Sequence, residues 1–377
     1  MGTLGCTSTS RVLPNFAETM SLLVTEEQVD EFVSNVNKHV VDDPVLIPDI
    51  LEITPEMLDF IPLTVRSSDD VRRRVGSLID KLVSAGYYEG TYAPKLTLTA
   101  KETFELKRGN CLAFTSMFVA LARAAGIDAQ FQIVPDAVSY DGENGILQNQ
   151  QHVNVLVQEV DSRLHGRYIV IDFNTLQADN RSARVISDER ATALFLNNLG
   201  IDFLMEDDYV NAFSHIRTAI DVDPSNPALW VNLGTYHLMQ DDLESAKLAN
   251  LHALRLDDQN TAALSSLQIV YSRLGNTELA NQLRSRISIL RGQNPYYHFA
   301  LAQLASDRKQ HRETLVHLER VLSMRKDDPR IFELMAHSQT QLGDYTSARK
   351  NLRRALIRAK TEKDKSRYQE RLAELAI

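Results

Sequence analysis

Apolar residues change their spacing along the chain, and each change marks a different kind of element. Val29, Phe32, Val33 and Val36 recur at helical intervals, as do Val71, Val75, Leu78, Ile79 and Leu82, so each set predicts a helix with one buried face. The first follows Thr25-Glu26-Glu27-Gln28, a capping-box pattern; Ser68 can cap the second, which stops at Gly86. Thr99-Ala100-Lys101-Glu102 marks another start, and the apolar run Leu112 to Ala122 forms a helix that ends at Gly126. Beyond Gly126 the period falls to two. Ala129 to Val134, His152 to Gln158 and Tyr168 to Phe173 read as strands, the last two joined by a turn around Asp161 to Arg167. Helices followed by an antiparallel sheet predict an α+β domain over residues 25–190, preceded by a leader or unstructured tail over 1–24.

The remainder repeats itself. Leu199, Leu233, Leu267, Leu301 and Met335 recur at intervals of 34, and so do Gly200, Gly234, Gln268, Ala302 and Ala336. Ala212, Ala246, Ala280, Thr314 and Ala348 form a third series, and Ala219, Ala253, Ile287, Val321 and Ala355 a fourth. A small residue inside each of two apolar stretches describes paired helices packed closely enough to need it. With Trp230, Leu233, Gly234, His237, Ala246 and Ala253 at signature positions and Pro224 closing the preceding unit, the segment resembles tetratricopeptide repeats. Five units are expected over 193–362, with the amphipathic segment 363–377 covering the end of the stack. That resemblance implies a groove for a protein or peptide partner, lined by the first helices and including Tyr296, Phe299, Gln303, Arg330, Glu333 and His337.

Composition narrows the chemistry. A net charge of −9 and basic residues interleaved with Glu362, Asp364, Glu370 and Glu374 near the C-terminus argue against nucleic-acid binding. No apolar run approaches the roughly 18–20 residues of a membrane span. With two cysteines and neither a CxxC nor an HExxH motif, no disulfide framework, metal or cofactor is expected. Met1 to Ser10 places small residues around Cys6, as in a bacterial lipoprotein cleavage box, although Thr3 stands where that box carries Leu. If the true start lies further upstream, Cys6 is a lipidation candidate and the location the bacterial cell envelope; otherwise Cys6 belongs to a tail and the location is cytoplasmic.

Cys111 stands where a helix begins, directly after Arg108-Gly109-Asn110. Unpaired backbone N–H groups and the helix dipole favour its thiolate there, the form that attacks carbonyl carbon. Strand parity supplies partners. If Val153, Val155 and Val157 share a buried face with Ile169, Ile171 and Phe173, then His152, Asn154, Asp172 and Asn174 share the opposite one, which lets the Asp172 carboxylate reach His152. His165 is a competing base in the predicted turn. Asn154 and Asn174 are either amides lining the site or exposed strand residues. Asn110 reads better as a turn or cap residue than as a participant in the chemistry. A cysteine without such partners would more often fill a core.

The order of Gly109-Asn110-Cys111, the His152 strand and the Asp172 strand resembles the transglutaminase-like cysteine superfamily. The upstream Leu96-Thr97-Leu98-Thr99-Ala100 segment is most similar to its bacterial branch, often joined to tetratricopeptide repeats. The resemblance covers about residues 87–174. It implies a papain/transglutaminase-like fold in which Cys111 is the nucleophile, His152 the general base and acid, and Asp172 its orienter. Acyl transfer through a thioester would follow, ending in hydrolysis or transfer to an amine, with the polar stretch Ser139 to Gln151 as a flap. The contrasting reading is an interaction scaffold that retains the fold without turnover.

Overall fold

A computed structural model describes residues 24–38, 45–67, 70–87, 92–134, 138–141, 146–149, 152–158, 168–172, 183–324, 328–359 and 362–375. Among them no helix is long and apolar enough to cross a membrane.

The α+β unit begins with short helices α2 (Pro55–Phe60) and α3 (Leu63–Ser67), followed by α4 (Val71–Ser84) and α5 (Ala100–Leu106). Asp70, rather than the expected Ser68, caps α4: its carboxylate accepts from the backbone N–H groups of Arg72 and Arg73 at 3.0 and 3.3 Å. Ser68 lies outside the described residues. Thr99 and Glu102 form a capping box at the expected start of α5. At the centre lies α6 (Cys111–Ala124), buried on all sides from Leu112 to Ala122, as a helix with no polar face must be.

Against α6 packs a four-stranded antiparallel sheet with strand order β5-β4-β1-β6: β1 (Ala129–Val134), β4 (His152–Gln158), β5 (Tyr168–Ile171) and β6 (Arg184–Ile186). Val153, Val155 and Val157 join Phe131, Ile133, Ile171 and Ile186 in one core with Phe114, Phe118 and Leu121 of α6. The edge strand β6 escaped the period-two pattern because only its last residue is buried. Within the expected flap, β2 (Val138–Asp141) and β3 (Ile146–Asn149) pair as a separate hairpin. β5 ends at Ile171; the sequence pattern carried it to Phe173, which lies outside the described residues.

The second half consists of five helical hairpins. They are α7 (Asp188–Met205) with α8 (Tyr209–Val222), α9 (Pro227–Met239) with α10 (Leu243–Leu256), α11 (Thr261–Arg273) with α12 (Thr277–Gly292), α13 (Pro295–Asp307) with α14 (His311–Met324), and α15 (Pro329–Gln341) with α16 (Tyr345–Arg358). Helix starts are set by Asp or Asn caps, among them Asp208, Asn226, Asp242, Asn260, Asn276, Asn294, Asp328 and Asp344, with proline at the first position of α9, α13 and α15. The small-residue series has its physical cause in the close approach of paired helices. A Cβ at Gly200 would stand 2.7 Å from Ile216 Cγ1, and one at Gly234 would stand 2.1 Å from Asn250 Nδ2. The final helix α17 (Glu362–Glu374) buries Tyr368 against Phe332, Ala336, Leu352 and Ala355.

Two elements depart from the expected division. The Thr25 helix, α1 (Glu26–Lys38), carries the reciprocal Thr25–Gln28 bonds of its capping box, but its valines do not join the α+β core. Val29 and Val36 instead pack with Ala193, Leu196, Ile216 and Trp230 of the hairpins. The buried Arg217 guanidinium donates to the Val36 and Asn37 carbonyls at the C-terminal end of α1, where a helix leaves acceptors unpaired. The other departure is α7, which starts at Asp188 after the Ser187 cap, several residues before the repeat pattern begins. One face of α7 (Ala191, Leu194, Phe195) enters the α+β core, and another (Ala193, Leu196) the hairpin core. Arg123 at the end of α6 holds Asp188 at the start of α7 with two bonds of 2.6 and 3.0 Å.

Candidate active site

The start of α6 is held by the segment before α5. Ala93 N–H donates to the Gly109 carbonyl and Asn110 N–H to that of Leu96, both at 2.9 Å, so residues 92–97 run beside the turn that leads into Cys111. Gly109 must be small there, since a Cβ would stand 2.6 Å from the Ala113 Cβ. Asn110 is the helix cap. Its Oδ1 accepts from Ala113 N–H at 3.0 Å and its Nδ2 donates to Thr97 Oγ1 at 2.8 Å, all within the interior. Asn110 thus fills the cap role that its place before the helix offered.

Cys111 follows as the first residue of the helix, with a free, half-buried thiol. No carbonyl within the helix accepts from the Cys111 and Leu112 N–H groups, which belong to its first turn. One turn later, Thr115 Oγ1 donates to the Val153 carbonyl at 3.2 Å. That bond ties the Cys111 helix to the residue after His152.

His152 opens β4 and is 6% exposed. The register pairs Val155 with Ile171, which sets Asp172 opposite Asn154 and diagonal to His152. His152 Nε2 lies 2.8 Å from both oxygens of the Asp172 carboxylate. With Nε2 donating to Asp172, Nδ1 is the nitrogen left for the thiol. Burial disfavours the charged imidazole, but bonds to Asp172 and to Cys111, together with their negative charge, prevail and push its pKa up to about 10. The arrangement therefore favours the protonated imidazolium form of His152.

Asn154 is fully buried, and its Nδ2 donates to Asp172 Oδ2 at 3.4 Å. It is not an exposed strand residue. Asn174, His165 and Cys6 lie outside the described residues. Two further residues had no signal in the sequence pattern. Tyr92, bridged to Gly109, is 40% exposed, yet burial of its hydroxyl end and the nearby Cys111 and Asp172 charges raise its pKa. Thr97 supports the Asn110 cap, and nothing in a single Thr before a helix predicts that role. Gln132 stands opposite Asn154 on β1, on the sheet face that strand alternation assigns to it. Among the described residues no group of three or more His, Cys, Asp or Glu is placed to hold a metal ion.

The expected partner groove is partly taken by the chain itself. Glu333 accepts from Arg371 at 2.9 Å and from Arg367 and the Tyr368 hydroxyl at 3.1 Å, so α17 occupies its end of the groove. Arg330 turns to its own helix cap, Asp328, and its guanidinium lies 5.5 Å from the Phe299 ring centre. His337 is exposed beside His311, and Tyr296 and Gln303 are half-buried. β2 of the flap hairpin lies against α13, which carries Tyr296, Phe299 and Gln303.

No curated protein matches the chain. Solved structures similar to it are helical repeat proteins. A thermophilic TPR protein from Thermus thermophilus shares 16% identity, covering 49% of this chain and 98% of its own, with a TM-score of 0.26. PilF of Pseudomonas aeruginosa shares 18%, covering 50% and 86%, with a TM-score of 0.27. A tetratricopeptide repeat protein from Parabacteroides merdae shares 20%, covering 48% and 72%, with a TM-score of 0.26. Residues 62–157, which hold the α6 helix and the His152 strand, match the family model of the transglutaminase-like superfamily.

Proposed function

We propose that the chain is a cysteine-dependent acyl-transfer enzyme that receives a protein or peptide substrate through its repeat array. The observation that carries this reading is His152 bonded to Asp172 through Nε2 at 2.8 Å while also interacting with Cys111 at a helix start. In the proposed reaction the Cys111 thiolate attacks an amide or ester carbonyl. The developing oxyanion meets the N–H groups of Cys111 and Leu112, and His152 delivers a proton to the leaving group. Asp172 holds the imidazole in the tautomer that presents Nδ1 to sulfur. Water or an amine then resolves the thioester, giving a hydrolase or a transferase.

A second reading, a protein-interaction module without turnover, draws support from the extent of the array, which runs from α7 to α17 and makes up half of the chain. Both readings keep protein or peptide binding in the repeats; they part at Cys111. Trapping with a peptide bearing an amide-mimicking electrophile separates them. Labelling at Cys111 is expected in the wild type and lost in Cys111→Ala, and alkylation should persist well below the ordinary thiol pKa of about 8.5. An unlabelled Cys111, or a rate that simply titrates near that pKa and ignores His152→Ala, would leave the interaction module as the function.

A further inference from the structure

The sheet face that carries His152 continues beyond Asp172 into two more polar side chains. Asn154 stands opposite Asp172 on one side, and the β1–β4 register sets Gln132 directly opposite Asn154 on the other. Both are interior: Asn154 is 0% and Gln132 5% exposed. Asn154 Nδ2 donates to Asp172 Oδ2, while its Oδ1 and the Gln132 Oε1 are buried acceptors without a hydrogen bond. Buried amide oxygens left unpaired are costly, and a strand could fill both positions with valine at no such cost. Opposed residues in an antiparallel pair have Cβ atoms about 4.5–5.5 Å apart, so the two amides are within reach of each other. A half-turn of the Gln132 amide exchanges its oxygen and nitrogen and brings an N–H to Asn154 Oδ1.

We propose that Gln132 and Asn154 are positioning residues. Gln132 Nε2–H donates to Asn154 Oδ1, and Asn154 Nδ2–H donates to Asp172 Oδ2, so that the carboxylate is fixed against His152 from the side of β1. The inference rests on the triad reading of Cys111, His152 and Asp172. Its physical content is that each further bond to the carboxylate, here from a buried amide chain, narrows the range of orientations it can take against the imidazole. The chain anchors Asp172, just past the end of β5, to two strands of the sheet interior. Both amides act through Asp172, the group that Asn154 bonds.

The test follows alkylation of Cys111 by iodoacetamide from about pH 5 to about pH 9, a span that brackets the ordinary thiol pKa. The full chain is used, Cys111 is followed by peptide mass so that Cys6 does not contribute, and a thermal melt accompanies each variant. Asn154→Leu should lower the rate near pH 6 roughly tenfold, the size of one charge-assisted bond, and Gln132→Met roughly threefold, the size of a neutral one. A purely structural role would lower the melting temperature and leave the pH profile in place. A folded Asn154→Leu or Gln132→Met with the wild-type profile overturns the proposal; should one variant fail to fold, the other decides it. His152→Ala, run in parallel, separates the two ideas. If it abolishes the low-pH reactivity while Asn154→Leu does not, the amide chain falls and the triad stands. If it changes nothing, both fall.

Discussion

The α+β unit and the helical array solve the same problem, burying an apolar face, by opposite means. In the array each hairpin packs on its sequence neighbours, and what is needed locally is a small residue where two helices cross, as at Gly200 and Gly234. In the α+β unit the residues that matter are far apart in sequence. Cys111, His152 and Asp172 meet only because β4 and β5 pair in one register and α6 lies across β4, fixed by Thr115 on the Val153 carbonyl. The difference teaches that a local solution can be repeated and tolerates substitution, as Gln268 shows at the position of Gly200 and Gly234. A non-local one converges on a single set of positions, and chemistry can be placed there.

The sharpest way to break this contrast is at Asp172. Asp172→Asn keeps the shape but offers the imidazole the wrong partner; turnover of a substrate found by trapping should fall by roughly 10⁴, the size seen when a triad carboxylate is neutralised in a serine protease. The melting temperature should hardly move. Unchanged turnover would remove Asp172 from the site, and a large loss of stability with activity per folded molecule kept would make it a core residue.

The next effect concerns the helix shared by both regions. Phe195 on α7 is 3% exposed and lies in the α+β core, so Phe195→Ala should cost about 3–5 kcal/mol in chemical denaturation. If the loss appears in the repeat transition and not in that of the α+β unit, α7 belongs to the array alone. The same packing bears on a fragment from Asp188 onward. It should remain helical by circular dichroism, but it exposes Leu194 and Phe195 and lacks α1.

Within the array, Gly200→Ala should destabilise by about 1–3 kcal/mol, because its Cβ meets Ile216 side-chain and backbone atoms and the Ala212 carbonyl at 2.7–3.2 Å. A neutral result by urea titration would mean that the first hairpin can open at no cost and that the 34-residue small series is not a packing requirement there. The smallest expected effect is at the contact between α1 and α10. Arg255 and Asp30 pair at 2.5 Å on the surface, with 39% and 64% of their side chains exposed, so Arg255→Ala should cost at most about 1 kcal/mol and less in high salt. A larger loss would give that pair, rather than the Val29 and Val36 packing, the main part in docking α1.

The sequence by itself determined the periodic features. The 34-residue spacing specified paired helices and their small residues, and the alternation around Val153 and Ile169 specified which residues share a sheet face, including His152, Asn154 and Asp172. It also placed Cys111 at a helix start, because Gly109 and Asn110 are turn and cap residues. These are legible because helix and strand periods are properties of the local backbone. Tertiary structure alone decided the rest. That α1 docks on the hairpins, that α7 serves two cores, that Glu333 is taken by α17, and that Tyr92 and Gln132 stand beside the site all depend on which apolar face meets which. An amphipathic helix such as α1 announces that it has a face to bury and carries no information, within its own residues, about the surface that will bury it.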